Sequence, residues 1–399
     1  MRNGSDIAEE YWLLTTAEGR QLLASVAALR SFGPAELDNL RKTVSPSAIS
    51  AAIRLTEGRA RATLKFERGH EMWIEATAIQ QATSEVIARH KARRFTSPLV
   101  VDLCAGLGGD AIALAERSNV IAVELDEGNC RRVRYNSAVY GTVDQILVVR
   151  ARAENFSIPA GAWLHLDPDQ RSTGGKRARS LIDYAPSVSF MRAISQVAAA
   201  GAIKLSPASD FTRHFSDGRY EIEVISLRGE CKEATVWFGD AVTCQRRATK
   251  LPEGITWTDR GDLSQARASV KELASVIFDP DPSLIRAGLL DDFATVHGLA
   301  RVGNGVDYLT GEVLQSTPFL TPFRVLETSP VDVKQLRRQL AARDIGTLEI
   351  KVRGLEIRPE QLRPALRLSG PRSASLLLYG GDGRAHAVLA ERISGPSPV

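Results

Sequence analysis

Cysteine is scarce in this 399-residue chain: Cys104, Cys130, Cys231 and Cys244 are scattered, with no C-x-x-C pair. That spacing excludes a disulfide framework and a zinc knuckle, and no metal site is expected. Long hydrophobic runs are also missing. None approaches the ~18–20 residues of a membrane-spanning helix. The opening Met1-Arg2-Asn3-Gly4-Ser5-Asp6 lacks the apolar stretch of a secretory signal. A cytoplasmic protein with reduced thiols and no membrane partner is expected. Internal repeats and low-complexity tracts are absent as well. At 44% hydrophobic and 25% charged residues, the composition is that of a folded globular protein. Its length allows two to four domains.

Charge of one sign is nearly balanced, with 51 basic and 47 acidic residues giving +4. The excess is concentrated. From Val325 onward there are 12 Lys and Arg against 8 Asp and Glu, so this tail holds the whole surplus. A basic tail on a neutral body suits a polyanionic partner.

The chain reads in four parts. Residues 6–94 carry helical spacing (Ile7, Tyr11, Leu14, Leu22, Leu23), and Gln81–Arg94 predicts one uninterrupted helix. After Ser97-Pro98, apolar strands alternate with helices, from Leu99–Leu103 to Trp163–Leu166. Such alternation means a parallel sheet with helices on both faces. Beyond Lys204 strands dominate. From Phe323 a small α+β unit is expected, with a helix starting at Ser329-Pro330 and running to Arg343. A hairpin around Gly380-Gly381-Asp382-Gly383 follows. On that helix Lys334, Arg337 and Arg338 share one face, while Leu336 and Leu340 form the packing pair.

The informative stretch is Val100-Val101-Asp102-Leu103-Cys104-Ala105-Gly106-Leu107-Gly108-Gly109-Asp110-Ala111. A buried strand ends in an acid, glycines turn the chain, and a helix begins. Glycines permit close backbone approach to a ligand, and the helix start offers free N–H groups. Gly106-x-Gly108-x-x-Ala111 also fits a dinucleotide fingerprint. Charge separates the two readings. A pyrophosphate over this turn would be repelled by Asp102 at short range. S-adenosylmethionine instead brings an ammonium and a sulfonium, which the acid attracts. The next strand ends in Glu124, 22 residues after Asp102, where a carboxylate accepts both ribose hydroxyls.

The fourth strand runs into Asp167-Pro168-Asp169-Gln170-Arg171. Asp-Pro at the carboxyl end of a strand aims a carboxylate and a carbonyl into the crevice, where they orient a nucleophile toward a donor methyl. The loop 171–179 adds Arg171, Lys176, Arg177 and Arg179, which suit phosphates. His165 reads as a hydrogen-bonded core residue rather than a base, and Cys104 as packing rather than a nucleophile.

Asp102–Asp110, with Tyr135-Asn136-Ser137-Ala138-Val139-Tyr140-Gly141, resembles the core of class I S-adenosylmethionine-dependent methyltransferases. The likeness is to the trimethylguanosine synthase-like branch, and to bacterial methyltransferases with a C-terminal THUMP-like domain. Gln81-Ala82-Thr83-Ser84-Glu85, Ala88-Arg89-His90-Lys91-Ala92, Ile285-Arg286-Ala287-Gly288 and Ile350-Lys351-Val352-Arg353-Gly354 also carry it. The resemblance implies an α/β fold: a Rossmann-like methyltransferase sheet, an N-terminal helical region and a small C-terminal α+β domain. The boundaries are 1–95 (helical), 96–250 (methyltransferase), 251–322 (connecting) and 323–399 (THUMP-like). It further implies S-adenosylmethionine held by Asp102, Cys104, Gly106, Gly108, Asp110, Glu124 and Leu125. Asp167, Pro168 and Arg171 would serve the acceptor, and RNA would be the partner, met by the tail and the 171–179 loop. Two positions depart from the pattern. Asp169 replaces the second proline of the usual acceptor motif, with Arg171 where an aromatic is expected, and Arg152 stands where an adenine-contacting acid is common. A methyltransferase fold that grips RNA without turnover is the alternative, and a nicotinamide enzyme the third reading.

Overall fold

A computed structural model describes residues 4–29, 33–76, 78–170, 181–261, 267–381 and 383–393. The chain divides into two compact units: Met1–Tyr220 with Thr235–Val242, and Glu221–Ala234 with Thr243–Val399.

Among the described residues, six helices open the first unit: α1 (Gly4–Thr15), α2 (Ala17–Ala27), α3 (Pro34–Arg41), α4 (Pro46–Ala62), α5 (Ala78–Gln81) and α6 (Glu85–Ala92). Thr16 and Ser45 cap α2 and α4, their hydroxyls accepting the N–H of Gly19 and Ala48. Leu13, Leu22, Leu55 and Trp73 form the core of this bundle. The unbroken helix expected over Gln81–Arg94 is instead two helices with a turn at 82–84. Ser84 is extended (φ −70°, ψ 146°), and the Glu85 N–H donates to the Lys65 carbonyl at 2.9 Å. Thr83 and Ser84 favour such a helix boundary over a helix interior, and a tertiary backbone acceptor completes the break.

The sheet follows as β1 (Leu99–Leu103), β2 (Asn119–Glu124), β3 (Ile146–Arg150), β4 (Trp163–Leu166) and, after a short ribbon of β5 (Asp169–Gln170) and β6 (Tyr184–Ala185), β7 (Ala200–Leu205). Helices α7 (Gly109–Ala115), α8 (Glu127–Tyr140) and α9 (Val188–Val197) cross between strands. These five strands, part of a nine-stranded sheet, are ordered β3-β2-β1-β4-β7, and each pairing among them is parallel. Burial on both faces explains the nearly continuous apolar runs. The order reverses at β1, whose neighbours are β2 and β4, and a crevice opens outside the carboxyl ends there.

Two buried contacts tie the helical bundle to this sheet. Glu10 accepts from Trp73 Nε1 at 2.7 Å and from Arg132 Nη2 on α8 at 3.0 Å. Asn136 accepts the Trp73 N–H at 2.7 Å and donates to the carbonyls of Trp73 and Leu107. Leu107 lies in the glycine loop, so Asn136 has a structural reason for its place in the resembling stretch.

Past the short helix α10 (Phe211–His214) the chain runs through β8 (Tyr220–Leu227) and β9 (Glu230–Gly239) into the second unit. There β10 (Arg246–Leu251) lies parallel to β8 and antiparallel to β11 (Ile255–Thr258). Next come β12 (Val276–Pro280), α11 (Pro282–Arg286), α12 (Leu290–Val296), β13 (Ala300–Arg301) and β14 (Leu309–Gly311). The tail holds β15 (Leu320–Pro330), α13 (Val333–Ala341), β16 (Ile345–Arg353), α14 (Pro359–Leu366), β17 (Arg372–Gly381) and β18 (Arg384–Arg392). These strands form a second sheet ordered β13-β14-β12-β15-β18-β17-β16.

The expected helix start at Ser329-Pro330 is corrected here. Pro330 ends a strand, paired with His386, and Asp332 caps α13 by accepting the Gln335 N–H at 2.7 Å. Pairing with β18 extends β15 past the proline. Leu336 and Leu340 are buried as expected, against Leu362, Leu366 and Leu376. The shared cationic face changes. Arg337 Nε donates to the Ala365 carbonyl, and Arg343 pairs with Glu327 at 2.8 Å. Lys334 and Arg338 remain exposed.

Candidate functional site

Each piece of the crevice comes from a strand end. After β1 the chain turns sharply: Cys104 (φ 63°), Gly106 (φ 56°) and Gly108 (φ 85°) all lie in the left-handed region. Glycine adopts that region freely and a side-chain-bearing residue does so at a cost. The N–H groups of Cys104 and Ala105 both donate to the Val123 carbonyl, binding the turn to β2. A methyl group on Gly106 would meet nothing within 4 Å, so its outer side faces open space.

Glu124, ending β2, braces this loop. Its Oε2 accepts the Gly106 N–H and its Oε1 the Asp126 N–H, each at 2.8 Å. A carboxylate oxygen has two acceptor sites, so the backbone donors do not use up the acceptor capacity of Glu124. Burial pushes the Glu124 carboxyl above its ordinary range, and the backbone donors oppose the shift. Beside it, Leu125 is an apolar side chain left 52% exposed.

Asp102 was expected to face the ligand. It is 0% exposed, with Oδ1 2.7 Å from His165 Nδ1 on β4 and Oδ2 buried without a hydrogen-bond partner among the described residues. Burial pushes its carboxyl above the ordinary range, opposed by His165, so it lies beneath the loop and turned to His165 rather than to a ligand. Asp110, at the start of α7, is likewise buried, and its Oδ1 lies 2.9 Å from Lys91 Nζ. Lys91 reaches it from α6 and also meets His165 Nε2 at 3.3 Å. Burial raises Asp110's carboxyl, but Lys91, together with His165 and Lys204, outweighs that and holds it well below the usual range. His165 is the hydrogen-bonded core residue the sequence suggested.

Asp167, just beyond β4, has its side chain 30% exposed, and its Oδ2 lies 2.7 Å from Lys204 Nζ on β7. Lys204 also donates to the Gln81 carbonyl at 3.0 Å. Desolvation raises the Asp167 carboxyl, opposed by Lys204. Pro168 is buried. Arg171 and the rest of the 171–179 loop lie outside the described residues. Asp169 is exposed and pairs with Ala185 in the ribbon of β5 and β6.

Cys104 shows how the parts converge. Burial raises its thiol, and the carboxylates of Asp167, Glu124, Asp102 and Glu154 raise it further. A thiol so placed stays protonated and is no nucleophile. Asp102, Cys104, Gly106, Gly108, Asp110, Glu124 and Asp167 thus gather at one end of the sheet.

Sequence reasoning missed three members. Lys204 sits in strand text with no motif, and Lys91 stands in the resembling stretch Ala88–Ala92 with no role assigned to it. Glu154 lies two residues beyond Arg152, both are exposed, and the Glu154 charge acts on the Cys104 thiol.

Comparison with known proteins agrees with this geometry. Residues 97–191 match the family of the RNA cap guanine-N2 methyltransferase, and residues 320–392 the THUMP domain-like family. An uncharacterized S-adenosylmethionine-dependent methyltransferase of Mycobacterium tuberculosis is 33% identical over 320 residues, covering 78% of this chain and 85% of that protein. A 4-amino-L-phenylalanine/4-methylamino-L-phenylalanine methyltransferase of Streptomyces pristinaespiralis is 34% identical over 79 residues, covering 18% of this chain and 27% of that one. The fold is shared with a candidate methyltransferase of Porphyromonas gingivalis W83, at a TM-score of 0.72 and 16% identity over 99% of this chain and 100% of that one. With its glycine turn, its braced Glu124 and a relative matched along most of both sequences, this chain belongs to the S-adenosylmethionine-dependent methyltransferases.

Proposed function

We propose that the protein methylates RNA. The observation that carries this reading is the convergence of Asp167 and Glu124 on the glycine loop around Cys104. It puts an acceptor-side carboxylate and a donor-side carboxylate at the ends of β4 and β2, the two strands that flank β1.

In this reading Glu124 takes the ribose hydroxyls on its two remaining acceptor sites, and Leu125 covers the adenine. Gly106 and Gly108 let the backbone close on the donor. Asp102 and Asp110 contribute negative charge from below the loop. Cys104 packs the turn. When bound, S-adenosylmethionine supplies an electrophilic methyl group on a sulfonium. Asp167, fixed through Oδ2 by Lys204, keeps Oδ1 for an N–H or O–H of the acceptor, and Pro168 stiffens that approach. Arg171 and the 171–179 loop would meet nearby phosphates. Positioning of this kind supplies much of the rate in a one-step transfer.

RNA is supported by the two family matches, one of them to an RNA cap methyltransferase. Charge supports it too. Lys334, Arg338, Arg358, Arg363 and Arg367 are all exposed along α13 and α14, a surface suited to phosphates without base readout. The proposed organisation keeps a helical region over 1–95, a methyltransferase domain over 96–250, a connecting segment over 251–322 and a THUMP-like domain over 323–399.

The test is nucleoside mass spectrometry of RNA from cells with and without the protein. A methylated nucleoside lost with the protein and restored by it in vitro supports the reading. RNA binding with no methyl transfer to any RNA fraction would instead make this a methyltransferase fold that grips RNA without turnover.

A further inference from the structure

Lys91 is a lysine with 1% of its side chain exposed, and it precedes the segment that matches the methyltransferase family. A buried ammonium is costly unless it is paired and hydrogen-bonded. Here Nζ lies 2.9 Å from Asp110 Oδ1 and 3.3 Å from His165 Nε2. An ammonium only donates, so Nε2 accepts and the imidazole proton is assigned to Nδ1. Nδ1 then donates to Asp102 Oδ1 at 2.7 Å. One chain of contacts thus runs from α6 through α7 and β4 to β1, directly beneath the glycine loop.

We propose that Lys91 is a positioning residue for the donor site: by holding Asp110 and His165 together, it fixes the start of α7 and the Gly106–Gly109 loop. The inference rests on the donor site proposed above. It makes the helical region part of the methyltransferase machinery and gives a reason why the bundle is tied to the sheet at Trp73 and Asn136.

The charges around Lys91 make the idea testable. Asp102, Asp110 and Asp167 face the two ammonium groups of Lys91 and Lys204, with His165 between them. The Thr83 hydroxyl meets Asp110, and the Cys104 thiol lies near Asp102. Without Lys91 one ammonium would face three carboxylates. His165, whose ordinary pKa is nearest neutrality, would take up the missing proton. Burial and, after it, Lys91 oppose protonation of His165, while Asp110 and Asp102 favour it and prevail, so removing Lys91 raises the imidazole pKa further. A raised histidine pKa stabilises the folded form below the unfolded value, and that stabilisation is lost as pH rises through the folded value.

The experiment is calorimetric titration of the full chain with S-adenosylhomocysteine at about pH 6 and about pH 8.5, values that bracket histidine titration. Wild type, in which the Lys91–Asp110 pair stays closed whichever form His165 takes, should change by less than about threefold between them. Lys91→Met should bind about tenfold or more weakly at the higher pH and recover to within about threefold at the lower, because the His165 cation replaces the lysine. Loss of equal size at both pH values would mean a packing role and overturn the proposal, as would unchanged binding. Should Lys91→Met fail to fold at the higher pH, Lys91→Met/Asp110→Asn removes both charges of the pair. That protein should fold at both pH values and bind about fivefold or more weakly without pH dependence. Wild-type affinity in it would overturn the proposal. Wild-type protein that binds no S-adenosylhomocysteine at all would refute the donor site itself, a separate outcome.

Discussion

Replacing Glu124 by alanine removes one carboxylate from two tasks. In the structure it accepts the N–H groups of Gly106 and Asp126, both at 2.8 Å; with the donor bound it would also accept two ribose hydroxyls. Hydrogen bonds to a charged group are worth about 1.5–3 kcal/mol each. Water entering the truncated site recovers part of that, so the net loss expected is about 1.5–3 kcal/mol, or roughly 10–150-fold in Kd. Glu124→Gln is the sharper variant. Its amide keeps one acceptor oxygen but turns an NH2 toward either Gly106 or Asp126, so its affinity should fall between those of wild type and Glu124→Ala. The pH dependence has a definite sign. Because burial raises the Glu124 carboxyl above its ordinary 4.5, affinity should fall as the pH drops toward that raised value and stay level above neutrality. Calorimetry with S-adenosylhomocysteine, and with NAD as a control, reads all of this. Wild-type affinity in both variants, or binding of NAD in place of S-adenosylhomocysteine, would refute the reasoning.

Three further outcomes are expected. Asp167→Asn should leave S-adenosylhomocysteine affinity nearly intact while methyl transfer to RNA falls by about 10²-fold, since an acceptor-positioning group acts mainly in the transition state; equal losses in both would make Asp167 a donor-site residue. Gly106→Ala should cost only about 1–2 kcal/mol in urea unfolding, because its φ of 56° is strained for alanine yet its methyl meets no atom within 4 Å. The methyl would enter the space reserved for the donor, so affinity should fall by more than the stability does; an affinity loss no larger than the stability loss would remove the donor from that side of the loop. For the tail, Lys334→Glu/Arg338→Glu should weaken filter binding of bulk RNA and reduce the salt slope by about two units or slightly less, one per lost phosphate contact. Charge reversal is preferable to truncation near Pro322, which would strip β15 from its pairing with β12. An unchanged slope would exclude this helix from RNA binding.

Local patterns carried much of the fold. The run Leu99–Leu103, the glycines after it and the acid closing the second strand were readable because each is dictated within a few residues: a buried parallel strand needs continuous apolar residues, a left-handed turn needs glycine, and a ligand's charge needs its complement. Leu336 and Leu340 were readable for the same reason, being one helix turn apart. The break at 82–84 was not, since it depends on the Lys65 carbonyl, distant in sequence. Nor was the reach of β15 through Pro330, which only its partner β18 imposes.

The site divides along the same line. Sequence alone determined the donor class, because Asp102, Glu124 and the glycine loop lie within one strand–turn–helix–strand unit whose register is local. Tertiary structure decided what each charge does. Asp102 is turned into His165, Asp110 is held by a lysine from the helical bundle, and Asp167 is held by a lysine on β7, the next strand of the parallel sheet. Arg337 and Arg343, indistinguishable in sequence from Lys334 and Arg338, are taken up by Ala365 and Glu327. A charge is legible as a residue type, but its partner is fixed only when folding removes water and leaves it the nearest opposite group.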